Sequence, residues 1–145
     1  MKVFGDPLSP FLFVLVMEGL TTLVKKSVEV GDFKPFKFRE EDLVDILQFT
    51  DDTVILGEPS CDNFWSLKVL LRGFELVSEL KTNFTKSNIF GVNVGDWLMH
   101  TTTSFVSCKK GNFPFKFLGI WVGANPRSKK TWKELLNNIK SRLLS

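Results

Sequence analysis

The sequence predicts an α+β fold, an antiparallel sheet with helices packed on one face. Three observations predict it. Apolar residues recur at helical spacing in separate segments. The stretch from Leu43 to Gly57, LVDILQFTDDTVILG, reads as strand, tight turn and strand. The elements follow in the order helix, hairpin, helix, strands, helix, strand, with no repeat or low-complexity segment between them.

Ser9 before Pro10 is a helix-start signal, with Ser as the cap and Pro in the first turn. Phe11, Leu12, Leu15, Val16, Leu20, Leu23 and Val24 carry that helix to about Lys26. Its first half is apolar nearly all round and is expected to be buried. Val28 to Phe38, with Gly31, Pro35 and alternating Phe36 and Phe38, predicts a short hairpin or irregular strands, and Glu40, Glu41 and Asp42 a polar turn. Ser60 caps a second helix running to Glu79 or Leu80, with Phe64, Leu67, Leu70, Leu71, Phe74 and Val77 as its apolar stripe. Thr82 to Phe84 and Ile89 to Val92 are short strand candidates. Asp96 to Val106 makes a third helix, Phe115 to Val122 a further strand, and about Lys130 to Leu144 a last helix bearing Trp132, Leu135, Leu136, Ile139 and Leu143.

A chain of 145 residues, 43% hydrophobic and 24% charged, suits one soluble domain. The longest apolar run, Phe11 to Met17, is closed by Glu18, which argues against a membrane span. Gly5, Asp6, Pro7 and Pro10 argue against a signal peptide. Cys61 and Cys108 lack CxxC spacing and His100 has no partner motif. Zinc binding and thiol catalysis are therefore not expected, and the compartment is expected to be intracellular and reducing, nucleus and cytoplasm not being distinguished. The net charge is +3, but the residues from Lys109 onward carry +8 and those before them −5. A basic end suits a polyanion, and an acidic part suits a metal. A solvated helix surface explains the same asymmetry.

Asp51 and Asp52 are the candidate centre. Two adjacent carboxylates at a hairpin tip repel each other, and a divalent cation relieves that repulsion. Asp is also a favoured turn residue, and taken alone a solvated turn is the safer interpretation.

Four blocks in order change that balance. Gly5-Asp6-Pro7-Leu8-Ser9-Pro10, Phe49-Thr50-Asp51-Asp52, Leu80 to Ser87 (LKTNFTKS) and Phe115 to Ile120 (FKFLGI) resemble, in sequence and succession, the reverse transcriptase of non-LTR retrotransposons, the LINE-type elements abundant in plant genomes. The resemblance implies a partial polymerase palm over residues 1–122, a basic linker and helix toward the thumb over 123–145, and no fingers. It implies RNA-directed DNA polymerisation with two Mg²⁺ ions, an RNA template, a DNA primer and deoxynucleoside triphosphates, and no membrane partner. Asp51 and Asp52 would be catalytic metal ligands, since hard Mg²⁺ takes oxygen donors. Lys86 would act on the leaving pyrophosphate. Gly5, Pro7, Ser9 and Phe49 would lie at the nucleotide and template, with Gly5 allowing close backbone approach. Phe117, Leu118, Gly119, Lys129 and Lys130 would meet the primer.

The chain departs from the family pattern in four places. Only four residues precede the first block, where the family carries a strand with a further metal carboxylate. Phe4 replaces a usual Gln, Thr50 a small Ala, and Glu79 a Gly. Asp45 is no substitute ligand, lying about 20 Å from Asp51 along an extended strand. The isolated chain is therefore expected to be inactive, with apolar surface exposed. A metal-independent nucleic-acid binder, using Lys109, Lys110, Arg127, Lys129, Lys130 and Lys133 with Trp121 or Trp132, is one alternative, and a remnant without function is another.

Overall fold

The computed structural model describes residues 8–40, 42–50 and 52–144. The expectations for Gly5, Pro7 and Asp51 fall outside the described residues.

Helices and short strands are mixed, as an α+β fold requires. The helices are α1 (Leu8–Glu29), α2 (Cys61–Ser78), α3 (Asp96–Val106) and α4 (Lys129–Leu143). Ser9 and Pro10 lie inside the first turn of α1, so Ser9 is not its cap. Pro is tolerated there because the first turn lacks intrahelical acceptors for its N–H groups. Beyond the expected stop at Lys26, an i,i+3 pair from Lys26 to Glu29 closes one more turn. Ser60 caps α2 as expected, its side chain accepting from the Asn63 N–H at 3.2 Å. The bounds of α3 match the expectation despite three consecutive threonines, one of which, Thr103, turns its hydroxyl back to Met99 O.

The strands do not form one sheet. β1 (Phe36–Lys37) pairs with β2 (Leu43–Val44), β3 (Ile46–Phe49) with β4 (Asp52–Ile55), and β7 (Phe115–Phe117) with β8 (Ile120–Val122), all antiparallel. β5 (Asn88–Ile89) and β6 (Lys109–Lys110) are parallel. A bridge from Pro35 to Gly57 and a bond from Phe36 N–H to Leu56 O join the first two pairs end to end. Two strand expectations are corrected. Phe115 to Val122 is a hairpin because Leu118 and Gly119 both take positive φ, +52° and +80°, the requirement of a two-residue type I′ turn. Thr82 to Phe84 is not a strand, because Asn83 draws Lys86 and Ser87 into a turn.

The core sits where α1 crosses α2. Leu20 and Val24 of α1 meet Leu71 and Phe74 of α2 and Phe33 of the intervening loop, and Ile46 and Ile55 lay the inner face of the β3–β4 hairpin on them. The first half of α1 is not buried: Phe11 is 61% exposed, and Leu8, Leu12, Val14 and Leu15 are exposed with it. Among the described residues nothing covers that end. On length and composition α1 also passes as a membrane-crossing helix, with mean hydropathy 1.5 over its best window, a test that core helices and signal sequences pass as well. The seven-residue apolar run therefore understated the hydropathy of the whole helix. Val77, expected on the buried stripe of α2, is 88% exposed, since the helix runs on past Phe74 beyond the core.

Candidate functional site

The β3–β4 hairpin is a regular ladder with Ile46 opposite Ile55, Leu47 opposite Val54, Gln48 opposite Thr53 and Phe49 opposite Asp52. Thr50 follows β3 as a turn residue. Because side chains alternate along a strand, Ile46, Gln48, Thr53 and Ile55 share the face turned to α1 and α2, while Leu47, Phe49, Asp52 and Val54 share the other. Phe49 and Asp52 therefore stand side by side at the exposed end of the open face, Phe49 57% exposed. Thr50 has φ +51°, uncommon for a β-branched residue and a source of local strain.

Beneath the tip the hairpin carries a polar pair. Thr21 of α1 donates its hydroxyl hydrogen to Gln48 Oε1 at 2.7 Å. The other end of the amide, Gln48 Nε2, and the facing Thr53 Oγ1 are buried with no protein partner. The Thr21–Gln48 bond anchors the hairpin to α1, and Gln48 Nε2 and Thr53 Oγ1 are left with no protein partner one step along the ladder from Phe49 and Asp52.

Asp52 has the hard oxygen donor that Mg²⁺ takes, yet the described residues do not complete a site for the ion. Among them no three His, Cys, Asp or Glu side chains gather to hold a metal. Asp45 precedes β3, about 13 Å along the strand from the level of Phe49 and Asp52, and its Oδ1 accepts from the Ile46 N–H at 2.7 Å.

The other sequence-predicted residues fall in separate places. Ser9 is an exposed residue of α1. Lys86 is exposed in a turn built on Asn83, whose Oδ1 accepts from the Lys86 N–H at 3.1 Å and from the Thr85 hydroxyl at 2.8 Å. Phe117, Leu118 and Gly119 form the tip of the β7–β8 hairpin, and Lys129 and Lys130 open α4. A cavity of about 140 Å³, lined by Gly119, Ile120, Trp121, Pro126, Trp132 and Leu135 among others, separates that hairpin from α4. Two indole N–H groups fix its walls: Trp132 donates to Pro126 O at 2.7 Å and Trp121 to Glu134 at 3.0 Å. Glu134 also accepts from Lys116, the cross-strand neighbour of Trp121. These two donors hold the Glu134 carboxyl below the usual carboxylate range, Lys116 having the larger effect. Among the described residues the β7–β8 hairpin and α4 make no extended contact with β3–β4.

Sequence reasoning missed the Lys116, Trp121 and Glu134 triad, whose members have no shared periodicity. It also missed Asn63, buried in the first turn of α2, for which a polar residue inside a capped, otherwise apolar segment was the available signal. No protein-family model matches the chain.

Proposed function

We propose that the chain is a partial palm, with the start of the thumb, from a non-LTR retrotransposon reverse transcriptase, and that its parent activity is RNA-directed DNA polymerisation. The observation that carries this proposal is the Phe49-Thr50-Asp51-Asp52 hairpin, flanked in order by the other three blocks. A tight turn between apolar strands holds Asp52 at the exposed end of an open face, where a carboxylate can take a metal ion that in turn binds a polyphosphate. Glu79 gives further support. It stands where the family usually has Gly, and it caps α2 with φ +61°, a conformation that glycine adopts without cost.

In this proposal Asp51 and Asp52 supply part of a metal site, and the remaining carboxylate comes from a segment other than the described residues. Alone, the chain does not polymerise. The site-level test is paramagnetic broadening of amide resonances by Mn²⁺ standing in for Mg²⁺. The proposal predicts broadening centred on residues 49–53 that disappears in Asp51→Asn/Asp52→Asn. Broadening centred elsewhere, or unchanged in that variant, would refute it.

A further inference from the structure

Lys86 and Lys109 lie 23 positions apart in sequence, and the parallel pairing of β5 with β6 brings them together. Asn88 is the register partner of Lys109, and the Lys109 N–H donates to Ser87 O at 3.2 Å. Ser87 in turn donates its N–H and hydroxyl to Asn83 O, at 3.0 and 2.8 Å, within the turn that holds Lys86. One Asn83-centred turn thus positions both lysines, with backbones within about 10 Å of each other by strand spacing and rise. Lys86, Asn88 and Lys109 are all exposed.

Their charges differ in status from that of the next residue. Lys110 pairs with Asp96 at 3.1 Å. Among the described residues neither Lys86 nor Lys109 has a carboxylate within ion-pair distance. Two uncompensated ammonium groups on adjoining, hydrogen-bonded segments repel each other, and an anion spanning both relieves that repulsion. Lysine meets phosphate as a mobile point charge, so two of them suit neighbouring phosphates better than one planar carboxylate.

We infer that Lys86 and Lys109 form a two-cation seat for consecutive phosphates of a nucleotide chain, with Lys109 a contact residue and Lys110 not. The inference rests on the proposed polymerase ancestry only for the choice of nucleotide phosphates over other polyanions.

The test is fluorescence anisotropy of a labelled single-stranded oligonucleotide with the full chain, without divalent metal, over a range of salt. Lys86→Gln and Lys109→Gln are each expected to weaken binding about 5-fold and to lower the salt slope by about 0.7, the loss of one phosphate contact on a single strand. Lys110→Gln is expected to bind like the parent chain. Displacement by tripolyphosphate and deoxynucleoside triphosphate assigns the seat to a free triphosphate, and resistance to both assigns it to the nucleic-acid backbone. Lys109→Gln binding like the parent, or equal losses in all three variants, overturns the seat in favour of diffuse attraction. Circular dichroism of each variant confirms the fold, which exposed lysines do not support. If the polymerase proposal fails, Mn²⁺ broadening is not centred on residues 49–53 while this binding pattern persists, so the two failures are distinguishable.

Discussion

The side chain of Asn63 serves the backbone of Lys34 on both sides, accepting from its N–H at 2.7 Å and donating to its C=O at 2.8 Å. The same amide nitrogen reaches Glu58 O at 3.0 Å. A buried carboxamide here does the work of a neighbouring strand, tying the loop after α1 to the start of α2. Gly57 leaves the room for it, since a Cβ there would lie 2.6 Å from both Asn63 Nδ2 and the Phe33 ring. Asn63→Ala takes the hydrogen-bond partner from the Lys34 N–H, while Lys34 O keeps the Glu58 N–H and Glu58 O the Ser60 N–H, and the loss of the buried amide's bonds is expected to cost about 2 kcal/mol. Urea unfolding followed by circular dichroism measures it, and a loss below about 0.5 kcal/mol would show that the clamp is dispensable.

Thr50 and Glu79 both hold positive φ without being glycine. Thr50→Gly and Glu79→Gly are each expected to stabilise the fold by about 0.5–1 kcal/mol, the relief of left-handed strain less the added freedom of the unfolded chain. Thermal melts of the single and double variants check this, with near-additive gains expected from independent sites.

Thr53→Val removes the orphaned hydroxyl opposite Gln48 while keeping a β-branched shape on a buried strand face. A gain of about 1 kcal/mol is expected. A loss of stability would mean that a bound water satisfies the Thr53 hydroxyl.

Glu75 fixes the chain after α2, accepting from the Thr82 N–H at 2.8 Å and pairing with Arg72 at 2.9 Å, its side chain only 8% exposed. The Thr82 bond, with help from Arg72 and against the opposing cost of burial, holds its carboxyl below the ordinary value of 4.5. A carboxyl depressed in the folded state binds fewer protons there than in the unfolded chain. Its stabilisation is therefore full above 4.5 and lost as pH falls through the lower folded value. Glu75→Gln keeps an acceptor for Thr82 and is expected to flatten the stability profile below pH 4.5, as read by urea midpoints across acid pH.

Much of the fold was legible where one local signal ruled. The Ser60 cap of α2 and the two apolar runs around the Asp pair each specify their element without tertiary help. Where tertiary context ruled, the sequence misled. FKFLGIWV reads as one strand because nothing in Leu118 announces positive φ. The apolar first half of α1 reads as buried because composition says what a helix prefers, not whether anything covers it. Of the candidate site, the position of Phe49 and Asp52 at the end of a hairpin was legible from the two apolar runs that flank the Asp pair. The nearness of Lys86 to Lys109 depends on a parallel pairing of two-residue strands, which leaves no pattern in sequence.

If the Asp51 and Asp52 pair belongs to a polymerase palm whose metal site the described residues leave incomplete, supplying a further carboxylate strand together with fingers should give chemistry. Primer extension on a primed RNA template with Mg²⁺ decides this. The assay compares this chain, the chain fused to the fingers and upstream carboxylate strand of a reverse transcriptase of the proposed family, and the fused chain with Asp51→Asn. No product is expected from the chain alone, product from the fusion, and none from the fusion carrying Asp51→Asn. Product that persists in the Asp51→Asn fusion would contradict the palm assignment, as would silence in every folded form.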